Sequence, residues 1–322
     1  MRTLVTGCAG FIGSHVTEAL LEAGHSVVGI DCFNDNYGRE QKLTNLKHVR
    51  EWNDFEFVPI DLSRGDLLEF VHSTDVVFHL AAEPGVRSSW GSRYSRYIQN
   101  NVLATQQLLE ASRDAPALRL VLASSSSVYG EGSPAPSTEE SATRPISPYG
   151  QTKLSAEQLC DLYRRELDMD IVSLRYFTVF GPRQRPDMAF HRFLRAALRD
   201  EPITVFGDGG QRRDFTYVAD VVAATLAAGM AKTLPERVFN IGGGAPATLA
   251  HTLEVIEELV GRRLEVQHAP RKHGDVRDTS ADTARARRLL GFSPRTSLEQ
   301  GLWAELAWVT ERIVKGVCEP AL

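Results

Sequence analysis

The chain reads as an α/β protein, a Rossmann-type doubly wound parallel sheet with a smaller C-terminal substrate lobe. Three observations predict this class. Short β-branched or apolar runs alternate with helical patterns through the first half, and the first run passes directly into a glycine-spaced turn. Beyond about residue 176 the pattern loosens into loops rich in Pro, Gly and Arg. With 322 residues, 43% of them hydrophobic, the chain can bury a full core.

In order, the expected strands are Thr3 to Thr6, Ser26 to Ile30, Phe55 to Ile60, Val76 to Leu80, Leu118 to Leu122 and Ile171 to Tyr176, with Val238 to Ile241 a further strand of the same sheet. Residues 1–175 are expected to form the dinucleotide-binding domain, with 215–243 returning to it, and 176–322 to be mainly the substrate lobe. The loops Gly181 to Pro186, Gly207 to Arg213 and Pro270 to Asp275 suit the carboxyl edge of such a sheet, where substrates bind.

Composition narrows the partners. A formal net charge of -5 offers no footprint for nucleic acid or an anionic membrane, so a small molecule is the expected partner. Cys8, Cys32, Cys160 and Cys318 are scattered without metal spacing, as reduced thiols of a cytoplasmic protein would be. The longest apolar stretch, Val221 to Ala231, is too short to span a bilayer, and the first strand begins without a leader segment. The nine histidines contain no HExxH arrangement, so no metal is expected.

The segment VTGCAGFIGSH sets Gly7, Gly10 and Gly13 between the first strand and the first helix. Glycine there permits a tight turn and close approach of a pyrophosphate to the helix N-terminus, where free N–H groups and the helix dipole favour an anion. Alone, the spacing also fits a plain turn; strand and helix on either side favour a dinucleotide. Asp31 ends the second strand, where a carboxylate accepts from ribose hydroxyls and repels a 2′-phosphate, favouring NAD over NADP. Asp61, closing the third strand, is placed to meet the adenine.

Tyr149 and Lys153 stand four apart at the start of a helical pattern and share a face. A tyrosine acting as a base near neutral pH needs its pKa lowered by about three units, or ~4 kcal/mol, from its usual ~10. A neighbouring ammonium and the positive nicotinamide ring are the expected sources. By itself the pair also fits an accidental match on a solvated face.

Taken with TGCAGFIGSH, HLAA (79–82), NNVLAT (100–105), SSSSVYG, YGQTK, RYFTVFGPRQRPDMAF (175–190), FGDGGQRRDFTYVAD (206–220) and GDVRDTSAD (274–282), these residues resemble the extended short-chain dehydrogenase/reductase family of nucleotide-sugar epimerases and dehydratases. That resemblance implies a cofactor set of Gly7, Gly10, Phe11, Ile12, Gly13, Asp31, Asn34, Asp61, Leu62, Leu80, Ala81, Ala82, Asn101, Tyr149, Lys153 and Phe177. It implies Arg213, Lys272 and Asp275 at the nucleotide diphosphate and its ribose, and Met188 in the substrate site. Ser125, Tyr149 and Lys153 become the catalytic set: the phenolate takes the proton of the sugar 4-hydroxyl as hydride leaves C4 for NAD, and Ser125 bonds the same oxygen. Family members also pair as homodimers through helices matching 96–112 and 150–166.

The four serines decide the branch. Family members that dehydrate carry Asp-Glu directly before VYG, and those that decarboxylate carry Glu there, whereas this chain has Ser126 and Ser127. Many members also have Asn where this chain has Thr178. Ser125, Ser126, Ser127 and Thr178 are therefore expected to offer neutral donors to a carboxylate at C6, which Glu at position 127 would repel. The stretches PGVRSSWG and FTVFGPRQRPDMAF are similar to those of bacterial UDP-glucuronate 4-epimerases, with Arg87 and Arg185 meeting the sugar or diphosphate. The substrate pair implied is UDP-glucuronate and UDP-galacturonate, through a β-keto acid that the donors must hold against loss of carbon dioxide. A UDP-glucose 4-epimerase, a UDP-glucuronate decarboxylase and a non-catalytic NAD-binding sensor stand as alternatives.

Overall fold

A computed structural model describes residues 1–115, 118–132 and 135–316; Cys318 lies outside the described residues. The central sheet has seven strands, all parallel. In chain order these are β1 (Arg2–Thr6), β2 (Ser26–Ile30), β3 (Phe55–Val58), β4 (Val76–His79), β5 (Arg119–Ser125), β6 (Asp170–Tyr176) and the strand Val238–Ile241. Across the sheet the Val238–Ile241 strand comes first, then β6, β5, β4, β1, β2 and β3.

Side chains of a strand alternate between faces, and here both faces are apolar, as a parallel sheet covered on both sides requires. Val5, Phe78, Val121 and Val172 enter one core, while their neighbours Leu4, Val77, Leu120 and Ile171 enter the other. The first core is closed by helix α1 (Phe11–Glu22) and the helix Val218–Met230; the second by the helices Ala104–Ser112 and Pro148–Leu167. A third core, around Phe190, Leu194, Ile256 and Leu302, gathers the helices Ala189–Arg199, Leu249–Val260 and Leu298–Val314. Among the described residues, no helix is long and apolar enough to cross a membrane.

Most strand bounds fall within one residue of those expected, and two strand ends depart further. β3 stops at Val58 because Pro59 has no N–H to donate to the ladder. β5 runs on to Ser125, in register with Tyr176, so two of the four serines continue the strand and only Ser126 begins the turn. The Pro148–Leu167 helix starts on Pro148 with the Ser147 hydroxyl accepting from Gly150 N–H at 3.0 Å, a serine cap followed by N1 proline. The helix after Arg93 passes through a π-helical segment, Ile98–Leu103, that carries Asn101.

One buried acid fixes the loop that will carry Arg185. Glu305 is fully buried and accepts from Gly181 N–H at 2.8 Å; burial pushes its carboxyl well above the carboxylate range, against the pull of that N–H. Because the native state holds this proton more tightly than the unfolded chain, its stabilising share is full at low pH and fades as pH rises through the raised native pKa. Glu305→Gln should therefore unfold near the wild-type denaturant midpoint and lose part of the alkaline decline, whereas Glu305→Ala should lose about 1–3 kcal/mol by stranding the Gly181 N–H. Urea titrations across pH measure both.

Candidate active site

Two clefts open at the carboxyl edge of the sheet and meet at Tyr149. The floor of the first is the turn from β1 into α1. Gly7 has φ +72°, and a Cβ on Gly13 would lie 2.0 Å from the Gly7 carbonyl oxygen. A Cβ on Gly7 would sit 2.8 Å from Ala81 N. The turn is thus packed against its own helix and against the chain leaving β4, and Gly7, Gly10 and Gly13 bring backbone without side chains to the cleft, as close approach of a pyrophosphate needs.

Asp31 closes the next strand. It accepts from Ala9 N–H at 3.2 Å and Phe33 N–H at 2.8 Å, so its carboxylate is held at the lip of the same turn. Asp61, which lines this cleft, accepts from Ser63 N–H at 2.9 Å and from the Ser63 hydroxyl at 2.8 Å, with its other oxygen 3.9 Å from Arg64 Nε. Phe11, Ile12, Asn34, Leu62, Leu80, Ala81 and Ala82 line the same cleft with Lys153 at its inner end. These residues fit a dinucleotide.

The second cleft encloses about 550 Å³, within the ~300–1,000 Å³ of small-molecule sites. Ser125, Ser126, Ser127, Thr178, Met188 and Arg213 line it. Its two acids are already paired: Asp187 with Arg185 at 3.0 Å, and Asp275 with Arg87 at 2.7 Å. The hydroxyls of 125–127 and 178 thus face a wall whose carboxylates are neutralised.

Where the clefts join, Ser125 stands beside Tyr149, and its hydroxyl accepts from Ser127 N–H at 3.1 Å, capping the short 3-10 turn. Tyr97 stacks edge-on to Tyr149 at 6.3 Å. The protein alone holds the Tyr149 phenol above its ordinary value: burial raises it, and Ser125 and Arg185 only partly oppose. The expected depression by the Lys153 ammonium is not found: the groups that oppose burial at Tyr149 are Ser125 and Arg185, and desolvation of the phenolate outweighs them. Lys153 is pushed down to about 8 by burial, with Glu157 opposing.

Three expected contacts fall elsewhere. Asn101 is buried, its Oδ1 accepting from Glu83 N–H at 2.6 Å and its Nδ2 donating to the Thr152 hydroxyl at 2.9 Å, so it braces the wall behind the first cleft. Phe177 packs with Val128, Tyr129, Leu154 and Ala281 in a separate apolar cluster. Lys272 is exposed, with its ammonium 5.2 Å from the Phe206 ring centre at the rim. Conversely, Tyr37 and Lys42 line the first cleft, and Arg192, Phe206 and Gln211 the second, without having been singled out. Phe206 and Gln211 stand in the FGDGGQRRDF stretch and were findable there; Arg192 carries no local signal, being one of several arginines on a helix.

Residues 3–242 match the NAD dependent epimerase/dehydratase family. Over 96% of its length the chain is 45% identical to an uncharacterised UDP-glucose epimerase of Bacillus subtilis, covering 98% of that protein. It is 38% identical to a UDP-glucuronate 4-epimerase of Thermodesulfobacterium geofontis, covering 96% of each chain. The crystal structure of UDP-glucuronic acid 4-epimerase from Bacillus cereus, in complex with UDP-glucuronic acid and NAD, is similar at a TM-score of 0.94 and 44% identity, covering 97% of this chain and 99% of that one.

The glycine packing sets a direct expectation. Gly13→Ala forces its methyl into the Gly7 carbonyl and should strip the purified protein of dinucleotide, read as loss of the nucleotide released on heat denaturation.

Proposed function

The chain belongs to the NAD dependent epimerase/dehydratase family, and from that premise we propose that it inverts C4 of UDP-glucuronate to give UDP-galacturonate, using NAD. The observation that carries the reading is the junction of the two clefts: Ser125, Tyr149 and Lys153 at the meeting point, with uncharged Ser126, Ser127 and Thr178 along the sugar side. Bound NAD supplies a hydride acceptor at C4 and returns the hydride to the other face of the ring.

The protein's part is proton chemistry and orientation. Tyr149 takes the proton from the 4-hydroxyl while Ser125 donates to the same oxygen, and the Lys153 ammonium stabilises the phenolate that burial disfavours. Ser126, Ser127 and Thr178 bind the carboxylate at C6 through neutral donors. Holding that group near the carbonyl plane of the 4-keto acid opposes its loss as carbon dioxide. Arg87 and Arg213 offer positive charge to the diphosphate, with Lys272 outside at the rim, Asp275 accepts from the nucleotide ribose, and Arg185 and Met188 border the sugar. Gly7, Gly10 and Gly13 receive the pyrophosphate, and Asp31 accepts from the adenosine ribose.

The division of labour follows the chain: residues 1–175, with 215–243, hold the cofactor, and 176–322 mainly receive the sugar nucleotide. The protein is a homodimer in this reading, paired through the helices around 96–112 and 150–166, where Ile98, Leu103, Leu162 and Leu167 leave apolar surface exposed. A reducing, cytoplasmic setting agrees with the free thiols of Cys8, Cys32 and Cys160. UDP-glucose is the second reading, favoured by the name of the Bacillus subtilis relative.

Incubation with UDP-glucuronate, followed by NMR, should yield UDP-galacturonate without carbon dioxide or a UDP-pentose; conversion of UDP-glucose alone would transfer the assignment to the neutral sugar. Tyr149→Phe should keep nucleotide-sugar affinity while kcat drops by about 10²–10⁴. Ser127→Glu, which sets a like charge beside the uronate, should raise KM for UDP-glucuronate at least ~10-fold, equivalent to ~1.4 kcal/mol. Unchanged turnover in that variant would remove the case for carboxylate recognition.

A further inference from the structure

The Pro148–Leu167 helix carries a third ionisable group on the face of Tyr149 and Lys153. Glu157 lies one turn beyond Lys153, and both are buried, at 7% and 5% exposure. A carboxylate so placed needs partners, and it has them on three elements. Its Oε1 accepts from the Ser124 hydroxyl of β5, and its two oxygens take the Arg175 guanidinium of β6 at 2.8–3.2 Å. Arg175 donates onward to the Tyr129 hydroxyl at 2.9 Å, which donates to Asn240 of the Val238–Ile241 strand at 2.6 Å. Ser124 directly precedes Ser125, and β5 holds these two opposite Arg175 and Tyr176. One carboxylate thus ties the catalytic helix to the strand end that presents Ser125.

We propose that Glu157 is a positioning residue for this site: its carboxylate keeps the Lys153 side chain an ammonium at the base of the cofactor cleft and seats the Ser124–Ser125 strand end against Tyr149. The inference rests on the epimerase reading for its effect on turnover, though not for its effect on Lys153. The surroundings single Glu157 out. Facing Lys153 from β4, His79 is fully buried between the Thr6 and Thr105 hydroxyls and is pushed down to about 3, so it stays neutral. On the helix itself, burial pushes the Cys160 thiol up to about 12 and keeps Tyr149 protonated, while Ser124 from β5 carries no charge. Glu157 is the carboxylate that opposes the desolvation of Lys153. Without it the ammonium would be lost at a lower pH, and with it the charge that stabilises the Tyr149 phenolate.

The test reads Lys153 directly. The chain has six lysines, so holoenzyme labelled with 13C at lysine Cε gives a spectrum in which the Lys153 signal is assignable by its absence in Lys153→Arg. Glu157→Gln should lower the Lys153 midpoint by about one unit, the lower end of the shift caused by a nearby opposite charge, and should move the alkaline limb of kcat by the same amount. Glu157→Asp should restore most of the shift. Arg175→Gln breaks the same ion pair from the other side and should leave the Lys153 midpoint unchanged or raised; a purely structural bridge would give both variants the same sign. It also serves as the decisive variant if Glu157→Gln does not fold. A Lys153 midpoint that stays at the wild-type value in Glu157→Gln, or falls equally in Arg175→Gln, overturns the inference. A wild type that fails to epimerise UDP-glucuronate sinks the functional reading alone, because the titration still decides the role of Glu157.

Discussion

Seven strands that all run one way bring seven carboxyl ends to a single edge, and the chemistry of this protein stands on that edge. The constraint is steric and electrostatic together. Both faces of the sheet are sealed by apolar cores, so the strand ends are where the backbone must turn and polar groups can reach solvent or a ligand. β1 ends in the glycine turn, Asp31 follows the end of β2, the chain leaving β4 passes through Ala81 and Ala82, and β5 ends in Ser125. Each group arrives at the site because its strand stops there.

Packing at these ends leaves little freedom. The Gly7 carbonyl against Gly13, and the chain at Ala81 against Gly7, leave no room for a methyl group. Gly181 is tied by its N–H to buried Glu305, and from it the loop through Arg183 to Arg185 sets out toward the cleft. Arg183 is itself in the left-handed region at φ 68° and donates to Glu18 of α1 at 2.6 Å, so the substrate loop leans on the helix that begins at the cofactor turn. The two clefts therefore share structural supports as well as a boundary.

Charge is handled differently on the two sides of Tyr149. Beneath it, the Lys153 ammonium and the Glu157 carboxylate are buried one helical turn apart, and the carboxylate takes its hydrogen bonds from Ser124 and Arg175. In the second cleft the two carboxylates are paired with arginines, and the serine and threonine hydroxyls share the lining with Arg192 and Arg213. A negatively charged ligand would meet no unpaired acid among the described residues lining that cleft.

Much of this was legible in the chain itself, because periodicity and glycine spacing are local. Alternation of apolar runs and helical patterns carries the parallel sheet, GCAGFIGSH carries the glycine turn, and YGQTK carries the proposed catalytic pair, since helix geometry alone puts residues four apart on one face. The extension of β5 by two serines was hidden, as serine suits turns and only pairing with Tyr176 and Arg175 makes the segment a strand end. Asn101 and Phe177 sit in motifs that name them, yet burial turns them away from the cleft toward Glu83, Thr152 and the Val128–Tyr129 cluster. The ordinary residues of the chain, then, determined the sheet, the cofactor turn and the reacting pair. Only the tertiary structure decided that Glu157 lies under Lys153 with Arg175 and Ser124 as partners, because those groups are 18 and 33 residues from it in sequence and meet only when β5, β6 and the helix pack.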